Sequence, residues 1–409
     1  MRFRFVHAAD LHLDTPFEGL SEVDSDLARR LRDASLAALD RIVAKALEVD
    51  AAFVVFAGDI YDGEARGIRA QLRFRAALER LAQAGVQAFI AHGNHDPEGG
   101  RWTAIRTWPE GVTVFPSEAP AAVEVRRGGD LLATVHGISY GTRRVTDNLA
   151  LRFPVVRAGG ALHVAVLHCN LGDQPGHAPY SPCSLADLRS RGMGYWALGH
   201  VHRRAVLARD PWVVYPGNTQ GRSFGPGELG DKGAVVVHVA DGSVTDVTPF
   251  ATDTARFHDL AVSIEGAVDL AALADRLRAA GQALRTANPG LELLVRGRLT
   301  GRGDLHRVVS REQGRAELLE ALADLAADGL WWQGLVAATR PSLDLDRLRE
   351  GGDLRAAVLA TEEAWRAGPP AELLEDLRAP GQVPSAELLA ELLADAAYDV
   401  LDRLSPEPS

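Results

Sequence analysis

Five times within the first 202 residues, a short apolar run ends abruptly on histidine, aspartate or asparagine. "RFRFV" leads to Asp10 and His12, and "AAFVVFAGD" to "GDIYD" with Asp59 and Asp62. "VQAFIAHGN" leads to Asn94, His95 and Asp96, "LHVAVLH" stops at His168, and "GYWALGH" opens "GHVH" with His200 and His202. Apolar runs of this length read as buried strands. Between them lie amphipathic stretches such as Ala70 to Ala84 that read as helices, and this alternation predicts an α/β layer sandwich. In open α/β sheets ligands collect outside the carboxyl ends of the strands, so the five polar sets are expected to converge on one crevice. Alternate residues such as Asp10 and His12 point to the same side of an extended segment.

Unpaired charges at the ends of buried strands need a counter-ion, and the donor types indicate which. Carboxylate, imidazole and amide oxygen without thiolate suit Mn, Fe or Zn in mixed coordination better than a structural zinc. A strand-end carboxylate can bridge two ions about 3.5–4 Å apart, the arrangement that clamps the attacking and leaving oxygens of a phosphoryl displacement. Glycines 58, 93 and 199 suit sharp turns that let backbone approach closely. The two cysteines, Cys169 and Cys183, lack the spacing of a zinc site or a disulfide framework and are read as structural thiols. The histidines outside the five sets are read as core or surface residues.

DxH, GDxxD, GNHD, a lone His and GHxH, in this order, resemble the five motifs of the calcineurin-like metallophosphoesterases over most of residues 3 to 240. "FVHAADLHLDTPF", "GNHD", "ALGHVH" and "YPGNTQGRSFG...DKG" look more specifically like the SbcD and YhaO type of DNA repair exonuclease. The resemblance implies a layered β-sandwich flanked by helices, then a small α+β capping domain and a helical C-terminal tail. It also implies two divalent metal ions, most simply Mn. One would be held by Asp10, His12, Asp59 and His202, the other by Asp59, Asn94, His168 and His200, with Asp59 as the bridge. His95 would face the scissile phosphate, with Asp96 orienting its ring. Some family members carry histidine where this chain has Asp62, which is read as supporting the site from behind. Arg143, Arg144, Arg203, Arg204 and Arg222 fall in loops that could border the crevice and bind backbone phosphates.

The domain boundaries are expected near residues 250 and 340: a nuclease domain over 1–250, a cap over 251–340 and an acidic helical segment over 341–409. The net charge of -11 argues against a nucleic-acid partner only if it is spread evenly. It is not. Residues 1–250 hold 27 Lys+Arg against 28 Asp+Glu, whereas residues 341–409 hold 6 against 15. In the tail, Leu389, Leu392, Ala396, Val400 and Leu404 form an expected helical stripe. By the resemblance, this tail would grip the coiled-coil root of an SMC-type ATPase such as SbcC or YhaN, and a homodimer is compatible with it. With no apolar run of membrane-spanning length and no signal-peptide pattern at the start, a cytoplasmic protein is expected. The expected activity is Mn-dependent exonuclease and endonuclease cleavage of DNA. The alternatives are a phosphodiesterase or phosphatase acting on small nucleotides or phosphoproteins, and a catalytically silent scaffold.

Overall fold

The computed structural model describes residues 1–409 except 18–26, 28–30, 32, 64–66, 100–102, 158, 173–177, 226, 369, 371–385 and 405–409. Its first twelve strands are β1 (Arg2–Ala8), β2 (Phe53–Ala57), β3 (Gln87–Ala91), β4 (Val112–Val114), β5 (Ala121–Arg127), β6 (Asp130–Gly137), β7 (Leu162–His168), β8 (Tyr195–Gly199), β9 (Ala205–Arg209), β10 (Trp212–Tyr215), β11 (Gly233–Ala240) and β12 (Ser243–Ala251). They form two six-stranded sheets, ordered β12-β11-β1-β2-β3-β4 and β5-β6-β7-β8-β10-β9. In the first sheet β1 to β4 run parallel and β11 pairs antiparallel with β1; in the second, β6, β7, β8 and β10 are parallel, with antiparallel β5 and β9 at the edges.

Both faces of these central strands are covered, which explains why they are apolar at consecutive positions. Phe5, Phe53, Val55 and Phe89 of one sheet meet Val164, Val166, Tyr195 and Ala197 of the other. The alternate residues Val6, Val54, Phe56 and Ile90 pack instead with Leu39, Ile42 and Val43 of α1 (Ala34–Glu48) and Phe74 and Leu78 of α2 (Ile68–Gln83). On the second sheet Ala165, Leu167, Trp196 and Leu198 build a further layer of core. The expected helix at Ala70 to Ala84 is α2, shifted by one or two residues. Because β1, β2, β3, β7 and β8 share the direction of the parallel ladders, their carboxyl ends, where the polar sets sit, lie at one end of the sandwich.

By packing, the chain divides into a unit of Met1–Leu260 with Gly281–Arg296 and Asp324–Gln333, and a unit of Ala261–Ala280, Gly297–Ala323 and Gly334–Ser409. A three-stranded sheet, ordered β13 (Ala255–Ser263), β14 (Glu292–Thr300) and β15 (Leu330–Ala337), contributes residues to both. Between β14 and β15 an α-helix covers Glu312–Glu320 and a 3-10 turn covers Ala323–Asp328.

Within the second unit the tail forms helices Leu345–Glu350, Leu354–Ala367 and Ala386–Leu404, the last packing on Leu354–Ala367. Its buried face is Leu389, Leu393, Ala397 and Leu401, whereas Leu392 and Val400 are exposed. The expected stripe was therefore offset, because two apolar stripes run side by side on this helix and the i, i+4, i+8 row beginning at Leu389 is the one that is covered. Asp402 accepts both terminal nitrogens of Arg302, at 2.9 and 2.8 Å, and Arg302 lies 4.4 Å from the centre of the Tyr398 ring. Part of the tail's acidity is thus neutralised by the unit's own arginines. Among the described residues no helix is long and apolar enough to cross a membrane.

Candidate metal centre

The loops leaving the strands are tied together by backbone before any side chain acts. The amides of Asp10 and His12 donate to the carbonyls of Gly58 and Asp59, at 3.1 and 3.0 Å. This contact holds Asp10, His12 and Asp59 in left-handed backbone, with φ of 51°, 43° and 49°, and His200 joins them at 102°. Non-glycine residues in that region cost on the order of 1–3 kcal/mol each, and such strain concentrates at functional sites. Gly93 is required by close approach: a Cβ there would stand 2.3 Å from Asp59 Oδ1.

Three groups of donor atoms converge among the described residues, each with its members within 4.8 Å of one another: Asp10, His12 and His202; Asp10, Asp59 and His168; and His12, Asp62 and His95. Asp10 is common to the first two groups, Asp59 belongs to the second, and His12 links the first to the third. Asp59 lies between other groups, with Oδ1 accepting the His95 amide at 2.8 Å and Oδ2 3.3 Å from His168 Nε2. Asn94 Oδ1 is 3.0 Å from the same His168 Nε2, while His168 Nδ1 sits 2.9 Å from the Ala57 carbonyl. Asp10 also accepts the His200 amide. The His200 ring lies 5.2 Å from that of His168, and its Nε2 is 2.9 Å from the Ala178 carbonyl. The donors fit divalent cations. Nε2 of His12 and Nε2 of His202 stand 3.3 Å apart, and the buried His12 Nδ1 has no hydrogen-bond partner among the described residues.

Burial pushes the Asp10 carboxyl up to about 6. Burial, then Arg222 and His202, drive the His12 imidazole well below its ordinary value, which keeps it in the neutral form that ligates. Asp59 goes the other way: burial opposes its ionisation, but His168, His12 and His95 outweigh it and hold the carboxyl far below the usual range. In return Asp59 and Asp10 overcome the burial of His168 and raise it to about 9. A cation taken at His168 Nε2 must therefore displace a proton.

His95 keeps 42% of its side chain exposed, whereas Asp10, His12, Asp59 and His168 beside it are buried. Its ring is oriented by Asp62, whose Oδ1 lies 2.5 Å from Nδ1 and raises the imidazole above its ordinary value. This corrects the role expected of Asp96. The fully buried Asp96 carboxylate accepts the amides of Ile60 and Gly93, at 2.9 and 2.8 Å, and lies 3.2 Å from His92 Nδ1, so it braces the two loops against each other.

Of the five arginines, Arg222 reaches the site, donating from Nη1 to Asp62 Oδ2 at 2.9 Å. Arg143 is exposed, and its Nη2 approaches Gly63 closely enough to stand 3.4 Å from a Cβ placed there. Arg144 and Arg203 are exposed, and Arg204 is paired with Asp231 at 2.5 Å. Sequence reasoning missed Glu228, a buried carboxylate on Nδ1 of His202. It also missed Lys232, whose Nζ donates to the His202 carbonyl at 3.2 Å. Both lie between glycines in "GELGDKG", far along the chain from His202, and no spacing marks them.

Two mainly parallel sheets face to face, with clustered carboxylates and imidazoles at the carboxyl ends of their parallel strands, are the setting of a metal-dependent phosphoester hydrolase. The calcineurin-like phosphoesterase family matches residues 3–204, and the family described as "Metallophosphoesterase YhaO, middle domain" matches residues 257–340. An uncharacterized metallophosphoesterase, YhaO of Bacillus subtilis, is 36% identical over 326 residues, covering 79% of this chain and 78% of that one. The chain belongs to the calcineurin-like metallophosphoesterases and, within them, to the YhaO family. It is more distantly similar to the DNA double-strand break repair protein Mre11 of Haloferax volcanii, 26% identical over 376 residues, covering 89% of this chain and 77% of that one. Mre11 of Aeropyrum pernix is 26% identical over 228 residues, covering 52% and 53%.

Proposed function

We propose that this protein cleaves phosphodiester bonds in DNA, as an exonuclease and endonuclease in DNA repair, with manganese at its centre. The observation that carries the reading is the Asp62 carboxylate, which presents His95 and Arg222 side by side at the rim of the buried donor clusters. One group can give a proton to a leaving oxygen and the other can neutralise a phosphate oxygen, a division of labour suited to a diester. Two bound cations supply a lowered pKa for the attacking water and charge for the phosphate. His12 and His202 would hold one, and Asn94, His168 and His200 the other, with Asp10 and Asp59 as the carboxylates able to be shared between them. The likeness to proteins named for double-strand break repair supports DNA over smaller diesters, as do exposed Arg143, Arg144 and Arg203. The expected partner is an SMC-type ATPase bound by the C-terminal helices, in the cytoplasm.

The test is cleavage of supercoiled plasmid and of single-stranded, blunt and hairpin oligonucleotides with Mn, beside hydrolysis of a cyclic nucleotide. Cleavage of DNA that EDTA abolishes is expected. Turnover of the cyclic nucleotide without DNA cleavage would move the protein to small substrates, and a wild-type protein that binds no metal would make it a scaffold.

A further inference from the structure

We propose that Glu228 is a positioning residue of the metal centre, fixing the His202 ring so that Nε2 is its donor atom. The proposal rests on the metal-binding reading of the site and not on the choice of DNA as substrate.

A histidine whose two nitrogens are chemically alike in isolation becomes a defined ligand only when one of them is committed elsewhere. Here Nδ1–H of His202 donates to Oε1 of Glu228. The remaining Nε2 is the atom that stands 3.3 Å from Nε2 of His12. The carboxylate is itself held. Its Oε2 accepts Asn218 Nδ2 at 3.0 Å and the Arg222 amide at 2.9 Å, and Glu228 keeps only 7% of its surface exposed. A buried carboxylate with three donors is a rigid anchor, and the same residue's backbone neighbourhood supports the ring from behind. Lys232, itself buried, reaches the His202 carbonyl and that of Gly227. Gly217, with φ +81°, passes so close that a Cβ would stand 2.9 Å from the His202 carbonyl. Gly217, Glu228 and Lys232 thus form a cradle for one ligand, and the Arg222 amide is held by the same carboxylate.

Removing a carboxylate that supports a ligating histidine typically weakens metal affinity by roughly 10–100-fold. Mn titration of the full-length apoprotein, followed by calorimetry and by the visible spectrum of a Co-substituted sample, reads this directly. For Glu228→Gln, one of the two sites should weaken by about 10- to 100-fold with the other unchanged, the Co spectrum of that site should shift, and excess Mn should restore turnover. Thermal unfolding in EDTA should match wild type. Wild-type affinity at both sites in the variant would overturn the proposal, as would equal loss at both sites with a lowered apoprotein Tm, which marks a merely structural carboxylate. Should Glu228→Gln fail to fold, Asn218→Ser carries the test: the same site weakened several-fold supports the anchor, and unchanged affinity refutes it. A wild-type protein that binds no metal fails the site reading itself, a result separable from either variant's.

Discussion

Oδ1 of Asp62 lies 2.5 Å from Nδ1 of His95, and its other oxygen takes Nη1 of Arg222 at 2.9 Å. One carboxylate, on the loop after β2, therefore sets the direction of two side chains drawn from loops far apart in the chain. Asp62→Ala should lower kcat on a phosphodiester by about 10- to 100-fold while metal content stays at the wild-type level. His95→Asn should lower kcat by roughly 100-fold or more, as for loss of a positioned acid. Kinetics with elemental analysis check both, and loss of metal from the His95 variant would turn that residue into a ligand.

Asp10 belongs to two of the three donor clusters, those of His202 and of His168, and Asp59 joins the His168 cluster while also anchoring the His95 amide. Asp10→Asn should accordingly deplete metal at both sites, and His12→Ala at one. Asp59→Asn separates the two accounts of the bridge. Loss of both ions makes Asp59 the shared ligand, as the family resemblance implies, and loss of one leaves that role to Asp10. Mn stoichiometry after gel filtration reads all three.

The chemistry at strand ends was legible because burial of both sheet faces forces consecutive apolar residues, so any His or Asp at the end of such a run stands out. Contacts that do not follow the strand period were not legible. Asp96 is adjacent to His95 in sequence, yet its carboxylate turns to the Gly93 and Ile60 amides, while Asp62 crosses from another loop. Glu228 stands with Asp231 among glycines, and only the folded loop carries it to His202. On the last helix the period was legible but the phase was not, since residues 388, 392, 396 and 400 are as apolar as the row beside them.

His7 offers a pH dependence away from the donor clusters. Its Nδ1 is 3.0 Å from the Tyr195 hydroxyl and its Nε2 3.2 Å from the Leu198 carbonyl, and burial lowers it from 6.5 to about 3. Below pH 6.5 the unfolded chain binds a proton that the folded one refuses until about pH 3. The stabilisation is therefore full above 6.5 and drains away as pH falls through that window. At about 1.4 kcal/mol per pKa unit, it should cost the wild type roughly 2–3 kcal/mol between pH 7 and pH 4.5 beyond the loss shown by His7→Gln. Urea denaturation at the two pH values checks this, and parallel losses in the two proteins would contradict it.

The last helix separates residues that hold the tail together from residues free to meet a partner. Arg302 binds Asp402 through both nitrogens, and Leu393 and Leu401 are covered, so Leu393→Asp should destroy hydrogen-exchange protection across Ala386–Leu404. Asp402→Ala should weaken the same helix by about 1–3 kcal/mol, the cost of leaving a partly buried guanidinium with only the Pro341 and Tyr398 carbonyls as acceptors. Leu392 and Val400 stand 43% and 41% exposed, on the face turned away from that packing. If the tail grips an ATPase coiled coil, the paired change Leu392→Asp and Val400→Asp should abolish co-purification with that ATPase. Helix protection and DNA cleavage by the isolated protein should stay as in the wild type, because neither residue supports the helix or the metal centre. Undiminished co-purification of the double variant would remove this face from the interface, and lost protection would show that these side chains belong to the tail's own packing.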